Sequence, residues 1–370
     1  MESPLAAIPA RAAVLNAIGS PLAIQSVIVE DPRADEIRVR LVATGICHTD
    51  LIMAGGALRA APPVILGHEG AGIVESVGAN VTTHAVGDAV VLSFAHCGQC
   101  ECCVEGAPSY CHEFTPRNFA CQRTDGTSAI ASVQPIRSHF FGQSSFATYA
   151  VCDPRNAIQV RKDVPLELLG PLGCGFQTGA GAVINVLNVE AGASIAVFGA
   201  GAVGLSAIMA AAAVGATTIV AIDRNPSRLE LARELGATHQ VLFDDGYHLS
   251  RIQQFVPRGV RYALDTTGVP AVVSAAIEAL SPRGVCGLVA GGPGATAPLP
   301  FNHMFVGGRT VRGIMEGDVV PASFIPMLIE LYAQGRFPFD KLIRFYSLDD
   351  INLAFADAAS GEVVKPVIRF

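Results

Sequence analysis

The apolar positions of the chain predict an α/β fold with a fully buried parallel sheet in its second half. Residues 191–222 carry no charge, and their hydrophobicity alone would satisfy the window of about 19 residues used to find membrane helices. Glycines, however, divide this stretch into a β-like part at 194–198, an alanine-rich part at 205–214 that favours helix, and a β-branched part at 217–222. We therefore predict a buried βαβ unit there and no membrane span.

The same alternation continues along the chain beyond this unit. An amphipathic segment at 227–235 is closed by Gly236, which is typical of a helix C-terminus. Apolar runs at 239–243, 262–265 and 285–290 predict further strands. Strands that alternate with helices in this way form a parallel sheet with helices on both faces.

Length and composition add a second domain and exclude several classes of protein. The chain has 370 residues, whereas a domain typically holds about 100–200. Its hydrophobic share of 51% and charged share of 15% exclude a disordered chain. A net charge of −7 provides no basic surface for nucleic acid, which is therefore not expected as a partner. So little charge is compatible with buried subunit contacts.

The amino-terminal sequence indicates the cellular compartment, and the compartment in turn affects how the cysteines are interpreted. Residues 1–4 (MESP) lack the basic and apolar regions of a signal peptide, so the expected location is the cytoplasm. In that reducing compartment the ten cysteines predict metal or redox chemistry rather than disulfides.

A glycine-rich loop carries four cysteines at the spacing of a structural zinc site. Cys97, Cys100, Cys103 and Cys111 form C-x2-C-x2-C-x7-C. Four thiolates around one ion leave no position open for chemistry. Cys102 lies within the run, so the spacing leaves the third ligand ambiguous. The alternative, a set of free thiols in a loop, is disfavoured by the close clustering.

Three further candidate metal ligands are scattered along the sequence. Cys47 follows an alternating strand at 36–43, His68 follows an apolar run, and Cys174 lies between two glycines. Taken singly, each is compatible with an ordinary core residue. If the fold brings them together, two sulfurs and one nitrogen form a catalytic zinc site whose fourth position is open to water or substrate.

A glycine motif predicts a dinucleotide-binding site. Gly199, Gly201 and Gly204 match G-x-G-x-x-G between a predicted strand and helix, and Asp223 ends the next strand about 20 residues on. The glycines let a pyrophosphate approach the helix N-terminus. The carboxylate binds ribose hydroxyls and repels a 2′-phosphate, so NAD is favoured over NADP. Arg224 is an opposing signal, because an arginine can accept that phosphate. A glycine turn in a ligand-free domain is the other interpretation.

Together these motifs resemble the zinc-dependent medium-chain alcohol dehydrogenases along nearly the whole chain. The matching segments occur in family order: 45–50 (GICHTD), 67–72 (GHEGAG), the four-cysteine loop, 172–175 (LGCG), and the glycine motif with Asp223. Within the family, segments 140–146 (FFGQSSF) and 170–175 (GPLGCG) look most like the aryl and allylic alcohol dehydrogenases of the benzyl alcohol and geraniol type.

The resemblance implies a role for each matching residue. The three scattered ligands bind the catalytic zinc, Glu69 is an alternative ligand during exchange, and the family register selects Cys103 in the loop. Asp50 fixes the tautomer of the histidine ligand, and Thr49 takes the alcohol proton and passes it to the cofactor ribose. The residues expected at the cofactor are His48, Thr178, Gly199, Gly201, Val203, Gly204, Asp223, Arg224, Arg228 and Lys365, and those expected at the substrate are Ser93, Phe140, Phe141 and Met315.

The resemblance also implies the architecture and the function. A mostly β, GroES-like catalytic domain spans 1–178 and is completed by 318–370, while a Rossmann domain with a doubly wound parallel sheet spans 179–317. The active site is expected in the cleft between them. With two zinc ions per chain and NAD, such an enzyme reversibly oxidises primary aromatic or allylic alcohols (benzyl, cinnamyl, geraniol-like) to aldehydes. A homodimer or homotetramer is expected. The alternatives are oxidation of a glutathione adduct, S-hydroxymethylglutathione, and a non-enzymatic structural role.

The sequence departs from the family pattern at two positions. Ile52 stands where many relatives carry a histidine that delivers the proton to solvent, and His48 stands where arginine is common. The first departure leaves the proton exit route open. The second implies a weaker grip on the pyrophosphate, and hence faster turnover wherever release of NADH limits the rate.

Overall fold

The computed structural model describes residues 7–57, 60–132, 134–243, 248–292 and 294–370. Its strands are β1 (Ile8–Leu15), β2 (Ala23–Val29), β3 (Ile37–Gly45), β4 (Val64–Ile65), β5 (Glu69–Val77), β6 (Ala89–Leu92), β7 (Ile130–Ala131), β8 (Tyr149–Cys152), β9 (Ala157–Gln159), β10 (Ser194–Phe198), β11 (Thr218–Asp223), β12 (His239–Leu242), β13 (Val260–Asp265), β14 (Leu280–Leu288), β15 (Thr310–Gly313), β16 (Ile343–Ser347) and β17 (Lys365–Arg369).

The α-helices lie mainly in the second half of the chain. They are α1 (His48–Ile52), α2 (Glu101–Val104), α3 (Phe114–Phe119), α4 (Gly175–Gly181), α5 (Ala202–Ala213), α6 (Pro226–Glu234), α7 (His248–Phe255), α8 (Pro270–Glu278), α9 (Phe301–Gly307), α10 (Pro321–Ala333) and α11 (Ile351–Ser360). None of the helices in the described ranges has both the length and the apolar character that crossing a bilayer requires.

The backbone divides into two compact units. One comprises Met1–Cys174, Val320–Ile329 and Asp340–Phe370, and the other comprises Gly175–Val319 and Glu330–Phe339. The prediction divided the chain at residues 178 and 318; the structure divides it a few residues away and also assigns 330–339 to the second unit.

The first unit is built mostly of antiparallel strands. One sheet has the order β16-β17-β3-β5-β6-β9, with β8 also paired to β3, and a smaller sheet has the order β4-β1-β2-β7. Alternation along β3 buries Ile37, Val39 and Leu41 in one core with residues of β5, β6, β8 and β9. The carboxyl end of β3 lies beside the start of β5, because Gly45 pairs with Glu69. This pairing positions the candidate metal ligands described below.

The second unit contains a parallel sheet with the strand order β12-β11-β10-β13-β14-β15. The order reverses between β10 and β13, which is the switch point of a doubly wound fold. Helix α5 is apolar on all sides and is buried from Gly204 to Ala211, as expected of a helix within a core. The prediction of an α/β protein with a doubly wound parallel sheet and a second, mostly β domain is confirmed.

The predicted elements of the second unit differ most at β14. The apolar pattern predicts a strand at 285–290, but the strand begins at Leu280. An irregularity in its pairing with β13 accommodates Arg283, whose φ is +62°, next to Gly284. These residues resemble a turn in the sequence, and the bulge lets them continue the strand instead.

Candidate metal centres and dinucleotide site

The four side chains expected around the catalytic metal converge in the first unit. Each of Cys47, His68, Glu69 and Cys174 offers one ligand atom, and these atoms all lie within 4.8 Å of one another. Cys47 precedes α1 at the end of β3, and His68 and Glu69 lie at the start of the neighbouring β5. Cys174 follows the helical turn Gly170–Gly173. Pairing of β3 with β5 therefore brings together residues that are more than twenty positions apart.

Asp50 orients the histidine of this cluster. Its Oδ1 lies 3.1 Å from His68 Nδ1 and accepts the backbone N–H of Gly67, while its Oδ2 accepts the backbone N–H of Cys47. A buried carboxylate in this position makes Nδ1 the protonated nitrogen and leaves the lone pair on Nε2. Within the described part of the chain, no hydrogen-bond partner is present for the buried Nε2. A buried orphaned nitrogen next to two thiols is the donor set that zinc takes.

Two aromatic rings hold the imidazole from the side. Phe141 stacks on His68 with ring centroids 4.5 Å apart, and Phe140 contacts it edge-on at 5.4 Å. Both phenylalanines are buried. They fix the plane of the ring and exclude water from it.

The electrostatics of the cluster favour a thiolate at Cys47 and a proton on His68. A hydrogen bond from Cys174 lowers the pKa of Cys47 well below its ordinary value, against the opposing effect of burial. Burial disfavours a charge on His68, but the Asp50 carboxylate and the Cys47 sulfur raise the pKa of His68 well above its ordinary value. The site thus stabilises a Cys47 thiolate beside a protonated imidazole, and a metal ion that binds there displaces the proton from Nε2.

Glu69 is held by a buried lysine. Lys365 Nζ lies 2.9 Å from both carboxylate oxygens of Glu69 and 3.2 Å from the carbonyl oxygen of Ile46. Burial raises the pKa of Glu69 to about 7, while the charge of Lys365 opposes the rise; in turn, Glu69 raises the pKa of Lys365 against the effect of burial. The ammonium of Lys365, which was expected at the cofactor pyrophosphate, therefore binds Glu69. Strand β17 pairs with β3, and Gly45 at the end of β3 pairs with Glu69, so the Lys365 side chain reaches the Glu69 carboxylate.

The residue expected to handle the proton lies beside the cluster. Thr49 Oγ1 is 3.8 Å from Cys47 Sγ on the first turn of α1. His48, the preceding residue, is exposed, and Ile52 at the end of the same helix is also exposed.

Three of the four expected substrate residues are buried near the metal ligands. Phe140 and Phe141 contact His68 as described above, and the Ser93 hydroxyl donates a hydrogen bond of 2.8 Å to the carbonyl of Gly173, next to Cys174. Met315 belongs to the second unit and is partly exposed. Their role in substrate binding stays a prediction.

The four-cysteine loop forms a separate cluster of the first unit. The ligand atoms of Cys97, Cys100, Cys103 and Cys111 lie within 4.8 Å of one another, whereas Cys102 is outside the group. Helix α2 explains the choice, since Cys103 is three residues after Cys100 and therefore on the same face. Arg155 donates a hydrogen bond to the carbonyl of Cys97 and braces the loop.

The pKa values of the loop thiols shift in opposite directions. Backbone N–H groups of Gln99 and Cys100 lower the pKa of Cys97 to about 6, whereas burial raises the pKa of Cys103 to about 12. Only part of the cluster can ionise while the four sulfurs repel one another. A divalent cation removes this conflict, so the sulfurs fit a closed structural site.

We expect Cys103→Ser to remove one equivalent of zinc per chain and Cys102→Ser to remove none. Loss of the loop metal lowers the thermal midpoint by about 5 °C or more, since 1 kcal/mol shifts Tm by about 2–4 °C in a domain of about 150–250 residues. Metal analysis and thermal unfolding of the two variants measure the effect. Equal zinc loss in both would refute Cys103 as the ligand.

The glycine motif lies at the carboxyl end of β10, at the switch point of the parallel sheet. Gly199 has a φ of +94°, and a Cβ on Gly204 would lie 1.8 Å from the carbonyl oxygen of Gly199, so both positions require glycine. A Cβ on Gly201 would meet no atom within 4 Å, which leaves open space over the loop. That space, at the N-terminus of α5, suits a pyrophosphate.

Asp223 braces this loop from the end of β11. Its carboxylate accepts the backbone N–H groups of Ala200 and Asn225 at 2.6 and 2.8 Å. The other residues expected at the cofactor are distributed as follows: Val203 on α5, Arg224 exposed after β11, Arg228 on α6 and Thr178 buried in α4. Their contacts with a cofactor stay predictions.

Sequence reasoning missed one residue at the metal centre, Gln143. It lies in the segment 140–146 that carries the resemblance to aryl and allylic enzymes, but a single glutamine gives no periodic or charge signal. The structure buries it against the backbone of His68. Three phenylalanines, a glycine and two serines surround it in the segment 140–146, and this composition is its signal in the sequence.

Comparison with known proteins gives consistent matches to both units. The family described as alcohol dehydrogenase GroES-like domain matches residues 33–162, and the family described as zinc-binding dehydrogenase matches 202–334. A geraniol dehydrogenase of Castellaniella defragrans is 46% identical, over 98% of both chains. A solved benzyl alcohol dehydrogenase from Acinetobacter calcoaceticus is 45% identical with a TM-score of 0.96, over 98% of this chain and 99% of that one.

A second solved structure matches at least as well. It is an alcohol dehydrogenase zinc-binding domain protein from Burkholderia ambifaria, with 51% identity, a TM-score of 0.97, and coverage of 99% of this chain and 100% of that one.

Proposed function

Since the chain belongs to the zinc-dependent medium-chain alcohol dehydrogenases, we propose that it reversibly oxidises primary aromatic or allylic alcohols to aldehydes with NAD. The observation that carries the proposal is the convergence of Cys47, His68 and Cys174 with the orphaned Nε2 of His68. The geraniol and benzyl alcohol dehydrogenases among its relatives support the substrate class.

The side chains of this centre divide the work of binding and proton transfer. Zinc held by Cys47, His68 and Cys174 would supply Lewis acidity that lowers the pKa of an alcohol, and a bound nicotinamide would supply the hydride acceptor. Cys47 and Cys174 supply thiolate ligands, and Asp50 keeps the lone pair of His68 on Nε2. Thr49 Oγ1 would accept the alcohol proton while its own hydroxyl proton passes to the cofactor ribose. Phe140 and Phe141 exclude water from the imidazole.

The two remaining sites support NAD and two zinc ions per chain as the proposed complement. Asp223, at the end of β11, supports NAD rather than NADP, because its carboxylate repels a 2′-phosphate. The four-cysteine loop supports a second, structural zinc, which makes two ions per chain.

We also propose that the chain forms a homodimer or homotetramer in the cytoplasm and has no nucleic-acid or membrane partner. Phe301 and Phe305 on α9 are exposed by 73% and 75%, and their rings stack with planes only 4° apart. An apolar patch of this kind favours coverage by another copy. The net charge of −7 argues against a nucleic-acid partner.

A panel of alcohols assayed by NADH absorbance tests the proposal. We expect kcat/KM for benzyl alcohol, cinnamyl alcohol and geraniol to exceed that for ethanol by about 10-fold or more, because a larger apolar substrate buries more surface in the pocket. The same panel is run with NADP, which should be the poorer cofactor.

The panel includes S-hydroxymethylglutathione, so that the main alternative is measured alongside. Higher kcat/KM for this adduct, or for ethanol, would refute the aromatic and allylic preference. Absence of turnover with every alcohol in zinc-loaded protein would favour a structural role.

A further inference from the structure

The segment around Gln143 adopts a backbone that its surroundings must hold in place. His139, Phe141 and Ser144 have backbone φ values of +71°, +50° and +53°, which residues other than glycine rarely adopt. Such conformations persist only where neighbouring structure enforces them, and they concentrate at functional sites. Here the enforced segment delivers Phe140, Phe141 and Gln143 to the metal ligands.

Gln143 binds the backbone on both sides of Glu69, at the carbonyl of His68 and at the N–H of Gly70. Its Nε2 donates to the carbonyl of His68 at 2.9 Å, and its Oε1 accepts the N–H of Gly70 at 3.1 Å. The same Nε2 donates to the carbonyl of Ser93 at 3.3 Å. Only this orientation of the amide satisfies all three groups, because a flipped amide would place oxygen against two carbonyls.

A second hydrogen bond continues the connection to Cys174. The Ser93 hydroxyl donates to the carbonyl of Gly173 at 2.8 Å, one residue before Cys174. Gly173 packs closely against the end of β6, just before Ser93, since a Cβ on Gly173 would lie 2.0 Å from the carbonyl oxygen of Leu92. His68 and Cys174 are therefore joined through Gln143 and Ser93 by hydrogen bonds that are all buried.

We propose that Gln143 is a positioning residue that, together with Ser93, fixes the spacing between the metal ligands His68 and Cys174. The inference rests on the proposed function, because it requires that these residues bind a metal. Two ligands from distant parts of the chain hold one ion well only if their separation is set before the ion arrives. The Gln143 amide acts through hydrogen bonds to the backbone beside the ligands and touches no reacting atom.

Gln143→Met tests the proposal, because it keeps the length of the side chain and removes its hydrogen bonds. We expect Co(II) to bind this site about 10- to 100-fold more weakly than in the wild type, with an altered d–d absorption spectrum. Ser145→Ala is the matched control: it removes the buried 2.7 Å hydrogen bond between Ser145 and Thr44 in the same segment. The control should keep the Co(II) affinity and spectrum of the wild type.

The background for these titrations comes from the double variant Cys47→Ser/Cys174→Ser, whose remaining thiolate site is the four-cysteine loop. If Gln143→Met binds Co(II) within about twofold of Ser145→Ala and gives the same spectrum, the role of Gln143 is refuted. If the double variant itself keeps the full wild-type spectrum, the metal centre of the proposed function fails, and the inference fails with it.

Discussion

Replacing Cys174 with serine is expected to abolish alcohol oxidation while the fold is retained, with kcat/KM falling about 1,000-fold or more. A zinc ion contributes several kcal/mol of charge stabilisation in such reactions, and each 1.36 kcal/mol corresponds to about a factor of ten. Cys174 provides one of the two sulfur atoms of the candidate metal cluster, and its hydrogen bond lowers the pKa of Cys47. A serine hydroxyl still donates a hydrogen bond, but it stays protonated near neutral pH and does not replace the thiolate.

The control is the same substitution at a buried cysteine outside both metal clusters. Cys286→Ser, in β14, should keep wild-type kcat/KM and the wild-type zinc content. Assays with benzyl alcohol, metal analysis and circular dichroism compare the two variants. Wild-type turnover in folded Cys174→Ser would refute the ligand assignment.

The second large effect is expected at Lys365. Its replacement by methionine should lower the free energy of unfolding by about 3–5 kcal/mol, because it leaves the Glu69 carboxylate buried without its partner. The double variant Lys365→Met/Glu69→Gln removes both charges and should recover most of the loss. Urea-induced unfolding of the zinc-loaded protein measures each difference.

An exposed ion pair provides the comparison. Arg33 and Asp125 are about half exposed and 2.7 Å apart, so Arg33→Met should cost less than about 1 kcal/mol. If Lys365→Met costs no more than Arg33→Met, the buried pair does not contribute as described. If the double variant is as unstable as the single one, the loss comes from packing and not from an unpaired charge.

The elements around the dinucleotide loop were predictable because their signals are local. The strand predicted at 194–198 is β10 with the same bounds, and the helix predicted at 205–214 overlaps α5. A run of β-branched residues, a glycine turn and an alanine-rich segment each determine their own backbone. The order of the strands in the sheet was not predictable, since it depends on which strands pair across the whole unit.

The metal centre depends on contacts that no short segment contains. Cys47 and His68 meet because β3 pairs with β5. Lys365 reaches Glu69 across a sequence separation of 296 residues, and no local pattern relates the two. The family resemblance identified Lys365 as a functional residue but assigned it to the cofactor pyrophosphate. The position of a lysine in the sequence does not show which anion its side chain contacts.

The choice between Cys102 and Cys103 shows a different limit. Both fit a short cysteine spacing, and the four-cysteine loop has no hydrophobic period that would reveal a helix. Once α2 is known, residues three apart share a face, and Cys103 follows from Cys100. A four-residue helix is too short to be read from its own sequence.

The Glu69–Lys365 pair also determines when the first unit can complete its core during synthesis of the protein. Translation adds about 5–20 residues per second, so Lys365 leaves the ribosome about 15–60 s after Glu69. In that interval the ribosome makes the whole second unit and much of the first, while the counter-charge of Glu69 is absent. The first unit therefore completes its core last, although translation begins with it.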